Sequence, residues 1–282
     1  EDYGITNNTT NSKKQSFEIL KIASENNLKF LDTAQNYTNS EKLIAEFSNI
    51  YGVKFNILNK LSISRRKKYN ESDIKKKIEK SLTLNKKNSF ESFLIHDYNY
   101  FINNQDDILK ILTSYVKAGD IKSIGISLYH TDEFDFCYNF KEFKVLQVPL
   151  SIINLKWSQH LNSLKHKKNK IILARSVFHQ GLLLNTRILW PPKFEIYKYK
   201  INSNLRILLK KFEVKNVFKL LISYVLSHKL IDNIILGISD VNDITYAINN
   251  LNNLVSFKKS DFEIIHSLIP QTSDNFLYPY KW

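Results

Sequence analysis

The sequence is short of several residue types, and each shortage excludes a class of protein. Its 282 residues include one cysteine, Cys137, so no disulfide forms within the chain and cysteine-rich metal sites are excluded. No run of about 18 apolar residues occurs, and the sequence therefore predicts no transmembrane helix. No apolar stretch follows a basic start, which argues against a signal peptide. We expect a cytoplasmic protein.

Glycine is scarce as well, so the position of each glycine is informative. The chain has six glycines, against a usual share of about 7%. Gly52 and Gly119 each follow a helical pattern, which predicts a left-handed residue that ends the helix. Gly125, Gly181 and Gly237 lie in or just after apolar runs, where another backbone or a ligand can come close. The sequence contains no G-x-G-x-x-G, the signature of a doubly wound nucleotide-binding fold.

The chain is strongly basic, with a formal net charge of +14 and a pI near 9.5. Such a charge suits nucleic acid, a membrane surface or small anions. The basic residues are spread along the chain, however. Lys75, Lys76 and Lys77 lie beside Ile74 and Ile78 at helical spacing, which is typical of the solvent face of an amphipathic helix. We therefore predict neither nucleic acid nor a membrane as partner, and nucleic-acid binding stays a minor alternative.

Seven short apolar runs alternate with helical patterns. The runs cover residues 29–34, 55–61, 92–97, 123–128, 145–151, 170–176 and 233–239. They are almost continuously apolar, as parallel strands covered on both faces are. Between them, Ser40 is predicted to cap a helix, and another helix is predicted to end at Gly119. Strands and helices that alternate without a linker predict one α/β domain over residues 1–282.

The missing nucleotide signature favours a barrel over a doubly wound sheet. A (β/α)8 TIM barrel closes with eight strands, whereas seven runs are visible. The chain has no methionine and does not begin with one. We expect that the first strand of the barrel lay upstream of residue 1.

Polar residues follow three successive runs. Asp32 lies near the end of the first run, with Tyr37 in the loop after it, while Lys60 ends the second run and His96 the third. In a TIM barrel, active residues gather where the strands end, on one rim, and neighbouring strands are about 4.8 Å apart. Each residue alone has an ordinary structural explanation. Together they predict one site.

These residues and their spacing resemble the aldo-keto reductase family. Asp32-Thr33-Ala34, Tyr37 and Ser40-Glu41 fit that family's D-T-A-x-x-Y-x-x-S-E motif, with Thr38 in the place of the usual glycine. Lys60 and His96 fit its lysine and histidine. Four further segments resemble the family: GDIKSIGISLY (119–129), LQVPLSIIN (146–154), ARSVFHQGLLL (174–184) and LYPYKW (277–282). The opening DYGITN resembles a subgroup in which it directly follows the first strand.

The resemblance implies a reductase that transfers a hydride from NAD(P)H to the carbonyl group of a small aldehyde or ketone. Tyr37 would protonate the oxygen. A free phenol has a pKa of about 10, and a neighbouring ammonium favours its ionised form. Lys60 would supply that ammonium, Asp32 would hold Lys60 in place, and His96 would orient the carbonyl oxygen. The subgroup suggests a sugar-like substrate.

The resemblance also implies a set of residues for the coenzyme, NADP or NAD. Ser127 and Gln147 would hold the nicotinamide carboxamide, although Leu128 takes the place of an amide-binding asparagine. The remaining implied contacts are Arg175, Ser176, Gly181, Leu182, Gly237, Ser239 and Asp243. Asp243 lies near the place where many relatives have an arginine for the 2′-phosphate. Its carboxylate would repel that phosphate, which leaves NADH open. No metal is predicted.

One alternative function stays open. The barrel would then be a non-catalytic scaffold or regulatory subunit that binds the cofactor. Turnover below background despite tight coenzyme binding would favour it. Under either hypothesis, reductase or scaffold, we expect a monomer or a weak homo-oligomer.

Overall fold

The computed structural model describes residues 12–63, 69–86, 88–166, 168–184 and 190–282. In this part of the chain, seven parallel strands form one sheet in chain order. They are β1 (Phe30–Asp32), β2 (Asn56–Leu61), β3 (Ser92–Ile95), β4 (Ile124–Ser127), β5 (Phe143–Pro149), β6 (Ile171–Arg175) and β7 (Asn233–Ile234). Each predicted run thus overlaps a strand, and the seventh strand is only two residues long. The DYGITN stretch lies outside the described residues.

Helices follow the strands on the outside of the sheet. They are α1 (Lys13–Glu25), α2 (Ser40–Tyr51), α3 (Glu71–Leu84), α4 (Tyr98–Asn103), α5 (Gln105–Ala118), α6 (Thr131–Tyr138), α7 (Leu155–Ser163), α8 (Glu195–Lys211), α9 (Val217–Leu226), α10 (Val241–Asn250), α11 (Lys259–Leu268) and α12 (Asp274–Leu277). Short 3₁₀ helices span Pro192–Phe194 and Pro279–Lys281. No helix within the described ranges is long and apolar enough to cross a bilayer.

The predicted helix ends are confirmed at both glycines. Gly52 and Gly119 follow α2 and α5 with φ of 68° and 83°, the left-handed conformation that costs glycine little. The predicted cap at Ser40 is wrong, because Ser40 is the first residue of α2 and Asn39 holds the cap position. The Ser40 hydroxyl lies 2.6 Å from that of Thr33 instead.

Two hydrophobic cores lie on the two faces of the sheet. The larger core fills the space between strands and helices. The smaller core lies on the concave face and consists of Leu58, Leu94, Val145 and Leu173, with Ile235 packed against it. A curled parallel sheet with its own interior core and an outer layer of helices is the arrangement of an α/β barrel, and this prediction is confirmed. The first strand of the barrel, which we expect upstream of residue 1, stays a prediction.

Gly125 shows why one position inside the barrel has no side chain. A Cβ atom at Gly125 would lie 2.5 Å from the carbonyl oxygen of Val145 and 3.0 Å from Cγ of Leu94. The close approach of another backbone, expected at this glycine, is therefore present. It allows β4 and β5 to meet around the interior core.

Candidate active site

The site residues lie on the interior face of the sheet, next to the smaller core and nearer the carboxyl ends of the strands. Side chains two residues apart on a strand share a face. Leu58, Leu94 and Val145 are interior residues, so residues two positions later face the same space at the carboxyl ends of the strands. This relation places five polar residues at one rim: Lys60, His96, Ser127, Gln147 and Arg175.

The centre of this rim is an ion pair between β1 and β2. Lys60 Nζ lies 2.5 Å from Asp32 Oδ2, and it also donates to the Thr33 carbonyl at 3.2 Å. The Lys60 side chain is 1% exposed and that of Asp32 14%. Gln147 Nε2 donates to the other carboxylate oxygen of Asp32 at 2.9 Å. The sequence-based prediction of an Asp32–Lys60 pair therefore agrees with the geometry, and Gln147 is an additional partner.

Burial and charge act in opposite directions on Lys60. Burial lowers the pKa of the Lys60 ammonium, the Asp32 carboxylate raises it, and the Arg175 guanidinium lowers it further. The net result is a lowered pKa. Without Asp32, Lys60 would be a buried cation facing a second cation, which is costly. The carboxylate is therefore the group that favours the charged form of Lys60 at this position.

Tyr37 lies beside this pair, in the turn between β1 and α2. Its backbone N–H donates to the Ala34 carbonyl at 3.0 Å. Lys60 Nζ lies 5.3 Å from the centre of the Tyr37 ring. The ring meets that of His96 edge to face, with centroids 6.1 Å apart. The structure thus brings together four residues from three strand ends and one loop.

Other residues of the same motif hold this loop. The Asn59 amide on β2 donates to Glu41 Oε1 on α2 at 2.8 Å, which joins the helix to the second strand. Thr38 has φ of 29°, in the left-handed region that is unfavourable for a β-branched residue. This backbone conformation gives a physical reason for the glycine that is usual at this place.

His96 follows β3 and is a neutral imidazole at physiological pH. Burial lowers its pKa to about 4, and the Lys60 and Arg175 charges act in the same direction. Its Nδ1 lies 3.4 Å from the Ser62 hydroxyl. A neutral histidine in a positively charged site has one N–H to offer as a hydrogen-bond donor.

Arg175 brings a second positive charge to the rim. Its guanidinium donates to the Leu128 carbonyl at 3.0 Å and to the Ser176 hydroxyl at 3.3 Å. It also lies over the Tyr129 ring, 4.3 Å from the centroid. With Lys60, it makes the space above the rim favourable for negative charge.

Besides Ser127, Gln147 and Arg175 at the rim, the predicted coenzyme residues fall into two groups. The first is the loop after β6, in which Ser176, His179, Gln180 and Gly181 have φ of 60°, 49°, 57° and 84°. Leu182 in this loop is fully buried. The buried His179 anchors it by a 3.0 Å hydrogen bond from Nε2 to the Phe276 carbonyl. Strained backbone of this kind gathers at functional sites.

The second group lies at the beginning of α10. Gly237 and Ser239 precede this helix and are exposed. The Asp243 carboxylate accepts hydrogen bonds from the N–H groups of Ser239 at 2.9 Å and Asp240 at 3.2 Å. Asp243 thus caps its own helix, a function that the sequence interpretation did not foresee.

Two further residues of the site were missed in the sequence. Ser62 immediately follows β2, and Tyr129 follows β4 and packs on Arg175. Their positions just beyond strand ends are the signal that would have identified them. Within the described ranges, no group of three His, Cys, Asp or Glu residues is arranged to bind a metal.

Comparisons with known proteins agree with this geometry. The sequence matches the Aldo/keto reductase family over residues 3–270. The glycerol dehydrogenase of Gluconobacter oxydans is similar in structure, with a TM-score of 0.71 and 16% identity over 94% of this chain and 90% of that one. The holo form of an aldo-keto reductase from Bacillus halodurans has a TM-score of 0.71 and 16% identity, over 96% and 91% of the two chains.

A third similar structure is an aldo/keto reductase from Klebsiella pneumoniae in complex with NADP and acetate. Its TM-score is 0.65 and its identity 15%, over 92% of this chain and 87% of that one. No curated protein sequence matches this chain significantly. At 15% to 16% identity, the similarity to these structures shows a shared fold. Because the family match covers residues 3–270 of 282, the chain belongs to the aldo/keto reductase family, whose members are oxidoreductases that use NADP or NAD.

Proposed function

We propose that this protein reduces the carbonyl group of a small aldehyde or ketone, with Tyr37 as the general acid. The observation that supports this most directly is the position of the Lys60 ammonium. It is buried, it is paired with Asp32 at 2.5 Å, and it lies 5.3 Å from the centre of the Tyr37 ring. A phenol beside a fixed cation loses its proton more easily than a free phenol.

The bound nicotinamide coenzyme would supply the hydride to the carbonyl carbon. The C=O bond becomes a C–O bond, and the Tyr37 hydroxyl gives its proton to the oxygen that gains negative charge. Lys60 stabilises the phenolate that remains, and the proton is later restored from water. His96, which is neutral because its pKa is lowered to about 4, donates a hydrogen bond to the same oxygen. Preorganised donors and cations of this kind stabilise the transition state.

The residues near the rim fit such a coenzyme. A nicotinamide carboxamide has one acceptor oxygen and an NH₂ group that donates. Ser127 Oγ donates to Gln147 Oε1 at 3.1 Å, which leaves the second Nε2 proton of Gln147 as a donor and the Ser127 oxygen as an acceptor for the carboxamide. Arg175 and the loop of Ser176, Gly181 and Leu182 lie next to this pair and would hold the pyrophosphate region. The buried side chain of Leu128 adds no polar group, but its carbonyl orients Arg175.

Asp243 favours a coenzyme without a 2′-phosphate. Backbone N–H groups at a helix N-terminus are a common binding site for phosphate. At the beginning of α10, the N–H groups of Ser239 and Asp240 already donate to the Asp243 carboxylate. A 2′-phosphate there would lose these donors and would face a negative charge. We therefore propose that NADH is used at least as well as NADPH.

The decisive experiment compares Tyr37→Phe with the wild type in NADH and NADPH oxidation by a panel of small aldehydes. Removal of a general acid lowers kcat by about 10² to 10⁴, whereas coenzyme binding measured by protein fluorescence should persist. Tyr199→Phe is the matched control, because Tyr199 is 86% exposed on α8. Full activity in Tyr37→Phe would refute the assignment of the acid. Tight coenzyme binding without turnover of any carbonyl in the wild type would favour the scaffold alternative.

A further inference from the structure

Two polar side chains, those of Ser62 and Asn36, form a row of contacts that begins at the Nδ1 atom of His96. The Ser62 hydroxyl oxygen is 3.4 Å from His96 Nδ1 and 2.8 Å from Asn36 Oδ1. Asn36 belongs to the loop that also contains Tyr37. The chain of contacts therefore joins the loop of the proposed acid to the imidazole.

Ser62 is held firmly in this position. Its backbone N–H donates to Gln35 Oε1 at 3.2 Å. The Gln35 amide cannot be turned around, because its Nε2 donates to the carbonyl of Lys77 at 2.9 Å and to the Ser81 hydroxyl at 3.0 Å. The backbone of Ser62 is thus anchored through Gln35 to α3, and this places its side chain beside the imidazole.

The number of protons limits which hydrogen bonds can form among Asn36, Ser62 and His96. His96 is neutral, so one ring nitrogen has a proton and the other is an acceptor. A hydrogen bond from His96 to a carbonyl oxygen requires the proton on Nε2, which leaves Nδ1 as an acceptor that needs a donor. The Ser62 hydroxyl has a single proton, and it can go either to Nδ1 or to Asn36.

We propose that Ser62 donates its proton to His96 Nδ1 and so fixes the imidazole tautomer that has its proton on Nε2. This inference rests on the proposed function, since it concerns the donor that His96 offers to a carbonyl. Asn36 takes part by a half turn of its side-chain amide, which exchanges Oδ1 and Nδ2. Its Nδ2 then donates to the Ser62 oxygen. Ser62 and Asn36 are positioning residues, because they act on the reaction only through His96.

The 3.4 Å distance agrees with this arrangement. Hydrogen bonds at catalytic sites are often long before the substrate binds and tighten in the complex. The backbone N–H of His96 donates to the Leu61 carbonyl at 3.3 Å. Since Ser62 is the next residue after Leu61, the backbones of His96 and Ser62 are held at adjacent positions at the end of β2.

The test is to read the tautomer directly by NMR. Two-bond proton–nitrogen spectra of the uniformly ¹⁵N-labelled full chain at neutral pH distinguish a protonated ring nitrogen from an acceptor nitrogen, and His96→Gln identifies the signals of His96. The informative variants are Ser62→Ala, which removes the donor, Ser62→Thr, which keeps it, and Asn36→Asp, whose carboxylate can only accept. Asn99→Asp is the control for added charge, because Asn99 is also exposed and lies on α4 close to His96 in sequence.

We expect the wild type to have its proton on Nε2. Ser62→Ala should move the signals of the two ring nitrogens of His96 toward the average of the two tautomers. It should also lower kcat by about tenfold, the effect of one hydrogen bond, and leave the coenzyme affinity unchanged. Ser62→Thr should restore both properties. Asn36→Asp should draw the Ser62 proton away and shift His96 toward the tautomer protonated on Nδ1, whereas Asn99→Asp should not.

Two results would overturn the proposal. One is a wild-type spectrum in which Nδ1 has the proton, and the other is a Ser62→Ala spectrum identical to that of the wild type. The failure of the proposed function has a different signature. In that case the tautomer would respond to Ser62 as expected, but the wild type would not oxidise a nicotinamide coenzyme with any carbonyl compound, whether or not the coenzyme binds.

Discussion

Replacing Asp32 by asparagine tests whether the carboxylate is what makes a buried lysine tolerable at the rim. The variant keeps the size of the side chain and removes its charge. Lys60, which is 1% exposed, would then face Arg175 without a counter-charge. Both burial and Arg175 lower the pKa of Lys60, and Asp32 is the group that raises it. The variant should therefore be less stable and should also lose the cation beside Tyr37.

The size of the effect follows from the burial of the pair. Breaking a buried ion pair by removing one partner costs about 3 to 5 kcal/mol. The entropy of unfolding near the midpoint is about 2.1 cal/mol/K per residue, or about 0.6 kcal/mol/K for a chain of this length. The melting temperature of Asp32→Asn should therefore fall by about 5 to 8 °C.

Differential scanning calorimetry at neutral pH measures this shift, with Asp32→Asn, Lys60→Met and the double variant compared in one cycle. The double variant should lose less stability than the two single variants combined, because it leaves no unpaired charge. Glu91→Gln is the control, since it breaks an exposed pair in which Lys122 Nζ lies 2.7 Å from Glu91, and surface pairs contribute about 1 kcal/mol or less. If Asp32→Asn melts with the wild type, or if the two changes are additive, our account of the pair is wrong.

Three further changes have defined outcomes. Gly125→Ala should lower the melting temperature measured by circular dichroism by several degrees or prevent folding, because its Cβ would lie 2.5 Å from the Val145 carbonyl oxygen. Acidification should destabilise the protein as pH falls from about 6.5 to about 4, since burial lowers the pKa of His179 and His228 to about 4. Each contributes at most about 3 kcal/mol, because the unfolded chain binds the proton first. Melting temperatures across this range should depend less steeply on pH in His228→Gln, and an unchanged slope would contradict the assignment. Asp243→Asn should lower the KM for NADPH relative to that for NADH, and an unchanged ratio of initial-rate constants would show that Asp243 does not select the coenzyme.

The four residues proposed for catalysis were found in the sequence because they lie at regular places. Asp32, Lys60 and His96 each end an apolar run, and the carboxyl ends of parallel strands meet at one rim. Gly52 and Gly119 were assigned correctly as helix ends for a similar reason, since the left-handed conformation is a property of one residue. Such features depend on neighbours in the chain and need no knowledge of the rest of the fold.

The missed features are contacts for which the sequence offers more than one partner. Ser62 contacts His96 only because the register of β2 and β3 places Leu61 beside Ile95. Ser40 was assigned as a cap, but its hydroxyl meets that of Thr33 across the loop. Asp243 was read as a residue facing the coenzyme, although an aspartate three positions after Asp240 also fits a capping box. In each case several partners were chemically possible, and the packing of the folded chain selected one.

The sequence by itself determined the alternation of strands and helices and the polar residues at the strand ends. These follow from periodicity, which acts over a few residues. Only the tertiary structure decided that Lys60 is buried against Asp32, that His96 is neutral, and that Gln147 and Arg175 reach the same rim. Desolvation and Coulomb interactions depend on distances between side chains from different strands, and those distances exist only when the sheet has curled around its interior core.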